Sequence, residues 1–386
     1  MVLPKKIILA PDSFKSSLTA HEAASAMEQG VLQLLPDAHV IKHPVSDGGE
    51  GLVSVVTPAL GGCIVTTNVA GPLPGQRVDA RWGLSSDGSL AIIEMAEAAG
   101  LSLVPIDRRD PKITTTYGVG ELIRAALDAG VSSILIGIGG SATNDAGAGM
   151  AEALGVKFFN ASGKSLDRGG AALVDIVSVD DQGKDARLDN VEILVACDVQ
   201  NTLCGIEGAS AVYGPQKGAR LSDVSLLDKA LLRFGKTVQT DLGMDVLNLP
   251  GGGAAGGMGA GLVAFCGATL KRGIDLVLQL TGFDDCLQGA DFVITGEGRI
   301  DRQVRFGKAL SGVVEQARRS NIPVAAVVGS IEGSRESFLN DGFLDDLEPL
   351  VDAHTSIEEA MRNAQTLIAE RTKLLIQRYL SRKYND

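Results

Sequence analysis

The residues best suited to chemistry in this sequence are carboxylates and lysines set among glycines. The first group is Asp12-Ser13-Phe14-Lys15, and the spacing of Thr19 and Glu22 behind it predicts the capped start of a helix. Anions are stabilised by the free amides of a helix N-terminus, so Lys15 is a candidate for binding a phosphate or a carboxylate. A plain strand-to-helix turn explains the same residues without a ligand.

A second group, Ser46-Asp47-Gly48-Gly49-Glu50-Gly51, interleaves two carboxylates with three glycines. A tight turn needs only one glycine, so a role in binding a metal or a hydroxyl group is favoured over a turn alone. Magnesium takes hard oxygen ligands and keeps several waters, which suits a site with few carboxylates. Asp47 is therefore a candidate metal ligand.

The densest group runs from Gly137 to Met150 and leaves an apolar run before entering a helical pattern. Its small residues would let backbone amides surround a phosphate, and Ser141, Asn144 and Asp145 would supply oxygens to a ligand or metal. The apolar segments on both sides argue against a flexible linker. The pattern predicts contact with a nucleotide or another phosphate.

Further candidates follow two later apolar runs. Asp198 ends one of them, either as a turn cap or as a functional carboxylate, and Lys217 follows in a glycine loop of the kind that grips phosphates. The glycine-rich stretch Gly251–Gly259 is compatible with three roles: close helix packing, a lid or a carboxylate-binding nest. The sequence does not decide among them.

The last group is Thr295-Gly296-Glu297-Gly298-Arg299-Ile300-Asp301, with Gly307-Lys308 behind it. Glu297 and Asp301 are candidates for binding a metal or a substrate hydroxyl, and Arg299 is equally compatible with a structural ion pair.

Several catalytic motifs are missing. The segment Gly163-Lys164-Ser165 has Phe158 where a Walker loop needs glycine, and the four histidines form no zinc-protease motif. Phosphorylation of a hydroxyl group needs only positioning, Mg²⁺, cations near the phosphates and one carboxylate that accepts the hydroxyl proton. The residues above match that requirement.

Composition narrows the class of protein. The chain has 386 residues and a formal charge of −12 without a basic block, so binding to nucleic acid or to a membrane is not expected. The apolar run at the N-terminus is too short for a signal peptide, which predicts a cytoplasmic protein. The five cysteines are scattered and predict neither disulfides nor a zinc site.

The strands and helices expected to position these groups predict an α/β fold. Short β-branched runs alternate with helical patterns, which indicates buried parallel strands, whereas residues 63–97 read as an antiparallel meander. We predict a flavodoxin-like parallel-sheet domain, residues 1–64 and 286–386, interrupted by an inserted mixed-sheet α/β domain, residues 65–285. The closing helix is expected from about Ser356 to Tyr384. The active site is expected in the cleft between the domains, at the carboxyl ends of the strands.

In combination, these motifs resemble the type-1 glycerate kinase family. The resemblance covers about Lys6 to Val313 in the family's order, and its motifs are APDSFK, SDGGEG, TTTYGVGELI, IGIGGSATNDAGAGM, GPQKGA, GGGAAGGMGAGL, RGIDLVL and ITGEGRID. It implies phosphotransfer from ATP to glycerate, commonly at the 2-hydroxyl, with Mg²⁺. It implies that substrate and nucleotide lie near Asp12, Lys15, Asp47, Glu50, Asn144, Asp145, Asp198, Lys217, Glu297, Arg299 and Asp301.

The leading hypothesis is a D-glycerate kinase, monomeric or homodimeric, with Lys15, Asp47 and Asp198 as catalytic residues. Lys15 and Lys217 grip phosphates or the substrate carboxylate, Asp47 and Asp301 hold Mg²⁺, and Asp198 accepts the hydroxyl proton. One alternative is a kinase for another short hydroxy acid. The other is a non-catalytic nucleotide or metabolite sensor, suggested by Val304 and Leu310 where the family usually has threonine and proline.

Overall fold

The structure is a computed structural model that describes residues 4–301, 308–340 and 342–383. Val304 and Gly307 lie outside the described residues. The strands, in chain order, are β1 (Lys6–Pro11), β2 (His39–Lys42), β3 (Cys63–Ala70), β4 (Arg77–Leu84), β5 (Leu90–Glu94), β6 (Ser133–Gly137), β7 (Lys157–Phe159), β8 (Ser178–Asp180), β9 (Glu192–Ala196), β10 (Thr269–Lys271), β11 (Phe292–Ile300), β12 (Val324–Ile331) and β13 (Asp346–Pro349).

Helices connect most of these strands. They are α1 (Ala20–Leu32), α2 (Leu52–Ala59), α3 (Ala96–Ala99), α4 (Tyr117–Asp128), α5 (Ala148–Ala153), α6 (Ala209–Tyr213), α7 (Leu221–Leu242), α8 (Ala254–Cys266), α9 (Gly273–Leu280), α10 (Phe283–Leu287), α11 (Ala309–Arg319), α12 (Glu336–Leu339), α13 (Ile357–Arg362) and α14 (Ala364–Lys383). Short 3₁₀ helices cover Leu101–Leu103, Ile106–Arg108, Gly170–Asp175, Ala186–Asn190 and Pro215–Lys217.

The first sheet has the strand order β13-β12-β11-β1-β2. All of its pairings are parallel. Numbered within this sheet alone, the order is the 2-1-3-4-5 order of flavodoxin-like folds, in which ligands bind at the carboxyl ends of the strands. The predicted parallel sheet of two early and three late strands is confirmed.

Both faces of this sheet are buried. Ile8 and Ala10 of β1 pack in a core with α9, α10 and α11, while Ile7 and Leu9 pack in a second core with α1 and α14. Successive side chains of a strand point to opposite faces, so the run KIILAP stays apolar throughout because it has a core on each side.

The second large sheet has the order β10-β9-β6-β5-β4-β3 and is mixed. Strands β3, β4 and β5 form an antiparallel meander, as predicted, and β5, β6, β9 and β10 pair in parallel. Its core includes a cluster of three aromatic rings, Phe158, Phe234 and Phe265, with centroids 5.6 to 6.3 Å apart. Strands β7 and β8 form a separate two-stranded sheet.

The chain divides into two compact units. The first unit contains the residues up to Asp47 and those from Gly273 onward, and the second unit runs from Gly48 to Arg272. The sequence analysis placed these boundaries at residues 64 and 286. They fall earlier because α2 packs on β4 and β5 of the second sheet, whereas α9 packs on α11 of the first unit.

The predicted closing helix is two helices. The helix α13 ends at Arg362, and Asn363 caps it with a φ of −107° before α14 begins at Ala364. Leu310, by contrast, is a fully buried residue in the first turn of α11. Leucine is therefore compatible with the helix at that position.

The five cysteines are free thiols in the structure, and Cys197 and Cys266 are buried. Within the part of the chain that the structure describes, no helix is both long enough and apolar enough to cross a membrane.

Candidate active site

A cavity of about 350 Å³ lies at the carboxyl ends of the first sheet's strands. We call it the strand-end cavity. It is lined by the loops after β1 and β2, the ends of β11 and β12, and the segment from β13 to α14. Its polar lining residues are Asp12, Ser13, Lys15, Ser17, Asp47, Glu297, Arg299, Asp301, Lys308 and Ser330. Six of these are residues that the sequence predicted for the site.

Asp12 lies directly after β1 and is buried. Its Oδ1 accepts the N–H of Ser13 at 2.6 Å. Burial raises its pKa well above the usual value, and the charges of Asp47 and Glu297 raise the pKa further, against the Ser13 hydrogen bond and the charge of Lys15. Several carboxylates in one cavity therefore oppose one another's ionisation.

Glu297, near the end of β11, is a second acid of this cavity whose pKa is raised. Burial raises its pKa to about 7, the charges of Asp47 and Asp301 act in the same direction, and Lys308 and Lys15 oppose the rise. Its Oε1 is buried and accepts no hydrogen bond from the described residues. A buried acceptor without a partner is costly, so Glu297 is ready to bind a donor or a cation from a ligand.

Lys15 is exposed at the tip of a tight loop, which is closed by reciprocal backbone hydrogen bonds of Phe14 and Leu18 at 2.9 and 3.0 Å. The predicted capping box is confirmed, because Thr19 and Glu22 bond each other's backbone amides at the start of α1. These two residues occupy amides of the helix N-terminus, and Lys15 lines the strand-end cavity.

The remaining basic groups of the cavity have acidic neighbours. Lys308 lies 3.4 Å from Asp301, and the sequence analysis gave Lys308 no role. Arg299 pairs with Glu332, and both side chains are more than half exposed. This geometry agrees with the structural reading of Arg299, although the residue still lines the cavity.

The carboxylates of the strand-end cavity fit a hard divalent cation. Asp47 and Asp301 both line it, and the unpartnered oxygen of Glu297 lies in the same cavity. No group of three or more His, Cys, Asp or Glu side chains in the described ranges is arranged to hold a metal by itself.

In the second unit, the glycine loop, residues 137–149, follows β6 and is almost entirely buried from Ser141 onward. Asp145 accepts hydrogen bonds from the amide and hydroxyl of Thr116, both at 2.9 Å, and from the amides of Gly147 and Gly149, both at 3.3 Å. Burial raises its pKa against these hydrogen bonds. The carboxylate of Asp145 thus holds the loop together from inside.

Lys217, which the sequence predicted as a lysine that grips a phosphate, is buried, and only 1% of it is exposed. Its ammonium donates to Ser141 Oγ at 2.8 Å and to the Thr143 carbonyl at 2.7 Å. Burial lowers its pKa to about 7, opposed by the charge of Asp145. Lys217 thus stabilises the glycine loop through two internal hydrogen bonds, and we call it a strut of the loop for this reason.

The third glycine-rich stretch is close packing, one of the three readings that the sequence left open. At Gly256 a Cβ atom would lie 2.0 Å from the Thr143 carbonyl, so only glycine permits this approach. The amide of Ala146 also donates to the Gly256 carbonyl at 3.0 Å. The start of α8 therefore supports the glycine loop.

The polar atoms of the loop are not all satisfied. Asn144 donates to Ser210 Oγ at 3.0 Å, yet its Oδ1 and the hydroxyl of Thr143 are buried without a hydrogen bond from the described residues. Both residues are fully buried, so these two polar atoms carry an uncompensated cost inside the glycine loop.

Other residues lie at the same edge of the second sheet. Asp198 is half-buried just after β9, the neighbour of β6, and Glu50 is exposed. The sequence analysis missed Glu94 at the end of β5, which accepts the amides of Gly51 and Val53 at 3.2 and 2.7 Å and so fixes the start of α2. An acid at a strand end was its only signal.

The structure thus gathers the predicted residues into two groups, one in each unit. Asp12, Lys15, Asp47, Glu297, Arg299 and Asp301 line the strand-end cavity, whereas Ser141, Asn144, Asp145 and Lys217 form or brace the glycine loop. Their meeting in a cleft between the domains stays a prediction.

Comparison with known proteins identifies the family. A model of the glycerate kinase family matches residues 7–380. A glycerate kinase of Halalkalibacterium halodurans is 46% identical over 94% of this chain and 95% of its own length. A glycerate 2-kinase of Escherichia coli K12 is 48% identical over 84% of this chain and 85% of its own.

A solved structure agrees with these relatives. The crystal structure of a protein from Salmonella typhimurium LT2, whose proposed assignment is glycerate kinase 2, superposes with a TM-score of 0.86 at 48% identity. The match covers 99% of this chain and 100% of that one. The two sheets described above are thus found in a close relative, and the chain belongs to the glycerate kinase family.

Proposed function

We propose that this glycerate kinase uses ATP and Mg²⁺ to phosphorylate the 2-hydroxyl of D-glycerate. Membership of the family makes the protein a kinase that acts on an alcohol group. The proposal for the 2-hydroxyl rests on the relative from Escherichia coli, which is named a glycerate 2-kinase. The observation that carries the assignment to a site is the strand-end cavity, where four carboxylates and two lysines line the ligand-binding edge of a parallel sheet.

In the proposed reaction, a glycerate hydroxyl oxygen forms a bond to the γ-phosphorus of ATP. The bond from that phosphorus to the bridging β,γ-oxygen breaks, and ADP leaves. The hydroxyl proton passes to a carboxylate, for which we propose Asp198, half-buried at the end of β9. Such a transfer depends mainly on positioning and on electrostatic stabilisation.

Lys15 and Lys308 are the cations placed to balance phosphate charge in the strand-end cavity. Asp47 and Asp301 are the proposed ligands of Mg²⁺, which when bound would neutralise charge on the phosphates. The four carboxylates repel a triphosphate unless a cation or a proton reduces their charge. Burial, and after it the charges of neighbouring carboxylates, raises the pKa of Asp12 and of Glu297, which favours the protonated form of both.

The second unit has a different proposed role. Ser141, Asn144, Asp145 and Lys217 were predicted to bind substrate or nucleotide, but their hydrogen bonds are mostly internal. We propose that Asp145 and Lys217 hold the glycine loop in shape. Contact with ligand is then proposed for the accessible backbone of the loop at Gly139 and Gly140.

Phosphorus NMR of a reaction with ATP, Mg²⁺ and D-glycerate tests the function. We expect 2-phosphoglycerate and ADP in equal amounts. Formation of 3-phosphoglycerate would correct the position of transfer, and turnover only with other short hydroxy acids would replace the substrate. Binding of ATP without any product would favour the sensor.

A further inference from the structure

The strand-end cavity has two chemically different sets of lining residues. One set is the carboxylates and lysines described above. The other is apolar and is formed by Phe14, Leu350, Val351 and the side chains of α13, among them Ile357 and Met361. Glycerate is small and fully polar, so it gains nothing from an apolar wall of this kind.

Two residues of this wall are exposed, which is unusual for large apolar side chains that face a cavity. Ile357 is 57% exposed and Met361 is 44% exposed, while Ala360 between them is buried. Apolar lining beside a few convergent polar groups is typical of small-molecule sites.

A second, independent observation points to a ligand with hydrogen-bonding groups. Ser13 Oγ and Glu297 Oε1 are buried, line the same cavity, and have no hydrogen-bond partner among the described residues. Buried polar atoms in native proteins are nearly always paired, so each of these two atoms can accept a hydrogen bond from a ligand in the cavity or donate one to it.

We infer that the apolar lining residues of the strand-end cavity bind the adenosine of ATP, with the base against Ile357 and Met361 and the phosphates toward Lys15 and Lys308. Adenosine has the required chemistry, because its base has apolar faces and its ribose and amino groups form hydrogen bonds. The inference rests on the proposed function and adds a nucleotide-binding surface in the first unit. The sequence analysis predicted nucleotide or phosphate contact for the glycine-rich segment from Gly137 to Met150, placed substrate and nucleotide near residues of both domains, and gave α13 no role.

Titration of the protein with ADP measures the apolar contribution. Ile357→Gln and Met361→Gln each remove apolar contact without adding charge, and both positions are exposed, so folding should be unaffected. We expect the Kd for ADP to rise about tenfold in the double variant, since each buried methylene contributes to affinity. The KM for glycerate should not change.

Leu32→Gln is the matched control, because Leu32 is a helical leucine of the same unit, is 38% exposed and does not line the cavity. Its Kd for ADP should equal that of the wild type. An unchanged Kd in the double variant would overturn the inference.

Photolabelling of the wild-type protein with 8-azido-ATP gives a second test that needs no variant. We expect the label in peptides from residues 350–364 and protection by excess ADP. Label confined to the glycine loop would overturn the inference.

The two proposals fail separately. If D-glycerate is phosphorylated but α13 is not labelled and the Kd for ADP is unchanged in the double variant, the adenosine surface is wrong and the function stands. If α13 is labelled and the Kd rises but no glycerate is phosphorylated, the function is wrong and the adenosine surface stands.

Discussion

The strand-end cavity and the glycine loop use the same residue types in opposite ways. In the cavity, the charge of Glu297 raises the pKa of Asp12, and Glu297 Oε1 accepts no hydrogen bond from the described residues. In the glycine loop, Asp145 and Lys217 are buried and hydrogen-bonded within the protein. Acids that raise one another's pKa are characteristic of ligand-binding sites. Acids whose oxygens accept hydrogen bonds from backbone amides stabilise the fold.

The largest expected effect is on stability, in the glycine loop. Lys217→Ala removes two hydrogen bonds and leaves a cavity in a fully buried position, which should lower the free energy of unfolding by about 4 kcal/mol. Chemical denaturation measures this. Lys229→Ala, at an exposed position of α7, is the control and should be near neutral. A variant of wild-type stability would show that Lys217 is not a strut.

The pH dependence of unfolding gives the same residue a sharper signature. Because the pKa of Lys217 is lowered to about 7 on folding, the unfolded chain binds more protons above that pH. The stability of the wild type should therefore rise between pH 7 and 10 relative to the variant, with a slope approaching about 1.4 kcal/mol per pH unit. Parallel profiles would contradict the lowered pKa.

An intermediate effect is expected in the strand-end cavity, on activity alone. Lys15→Ala should lower kcat/KM about a hundredfold, as the loss of one charged contact to the transferred phosphate does, and should leave the melting temperature unchanged because Lys15 is exposed. Steady-state kinetics and thermal unfolding separate the two quantities. Lys164→Ala, in the segment that only resembles a Walker loop, is the control and should keep full activity.

The smallest effect is expected at the rim of the cavity. Glu332→Gln breaks the ion pair with Arg299, and both side chains are more than half exposed. Exposed ion pairs contribute little, so the free energy of unfolding should change by less than about 0.5 kcal/mol. A larger loss on denaturation would show that the pair is part of the cavity's framework.

The contrast also explains what the sequence could predict. The parallel sheet, the meander and the capping box of Thr19 and Glu22 follow from local patterns of a few residues, and all are confirmed. Five strands with flavodoxin-like order likewise follow from apolar runs and their spacing. The candidate residues at the strand ends were found because glycine and acid cluster there.

Burial could not be predicted in this way. Lys217 meets Ser141 across 76 residues of sequence, and nothing in the segment GPQKGA distinguishes a buried strut from an exposed lysine. The unit boundaries were misplaced for a similar reason, since α2 belongs to the sheet on which it packs. The apolar wall of α13 was missed because Ile357 and Met361 look like ordinary helical residues until the cavity is seen.

Asp12→Asn tests the contrast most directly, with Asp145→Asn as its counterpart. Burial and neighbouring acids raise the pKa of Asp12, so ionisation of this residue destabilises the folded protein. Stability should therefore fall as the pH rises from the usual carboxyl pKa through the raised one, and asparagine, which does not ionise, removes this loss. Melting temperature and kcat should be measured together at pH 7. We predict that Asp12→Asn melts at or above the wild-type temperature with kcat lowered at least about a hundredfold. Burial raises the pKa of Asp145 as well, but its carboxylate accepts four hydrogen bonds that an amide cannot all replace, so Asp145→Asn should melt well below the wild type. An Asp12→Asn protein that is less stable but fully active would contradict the account.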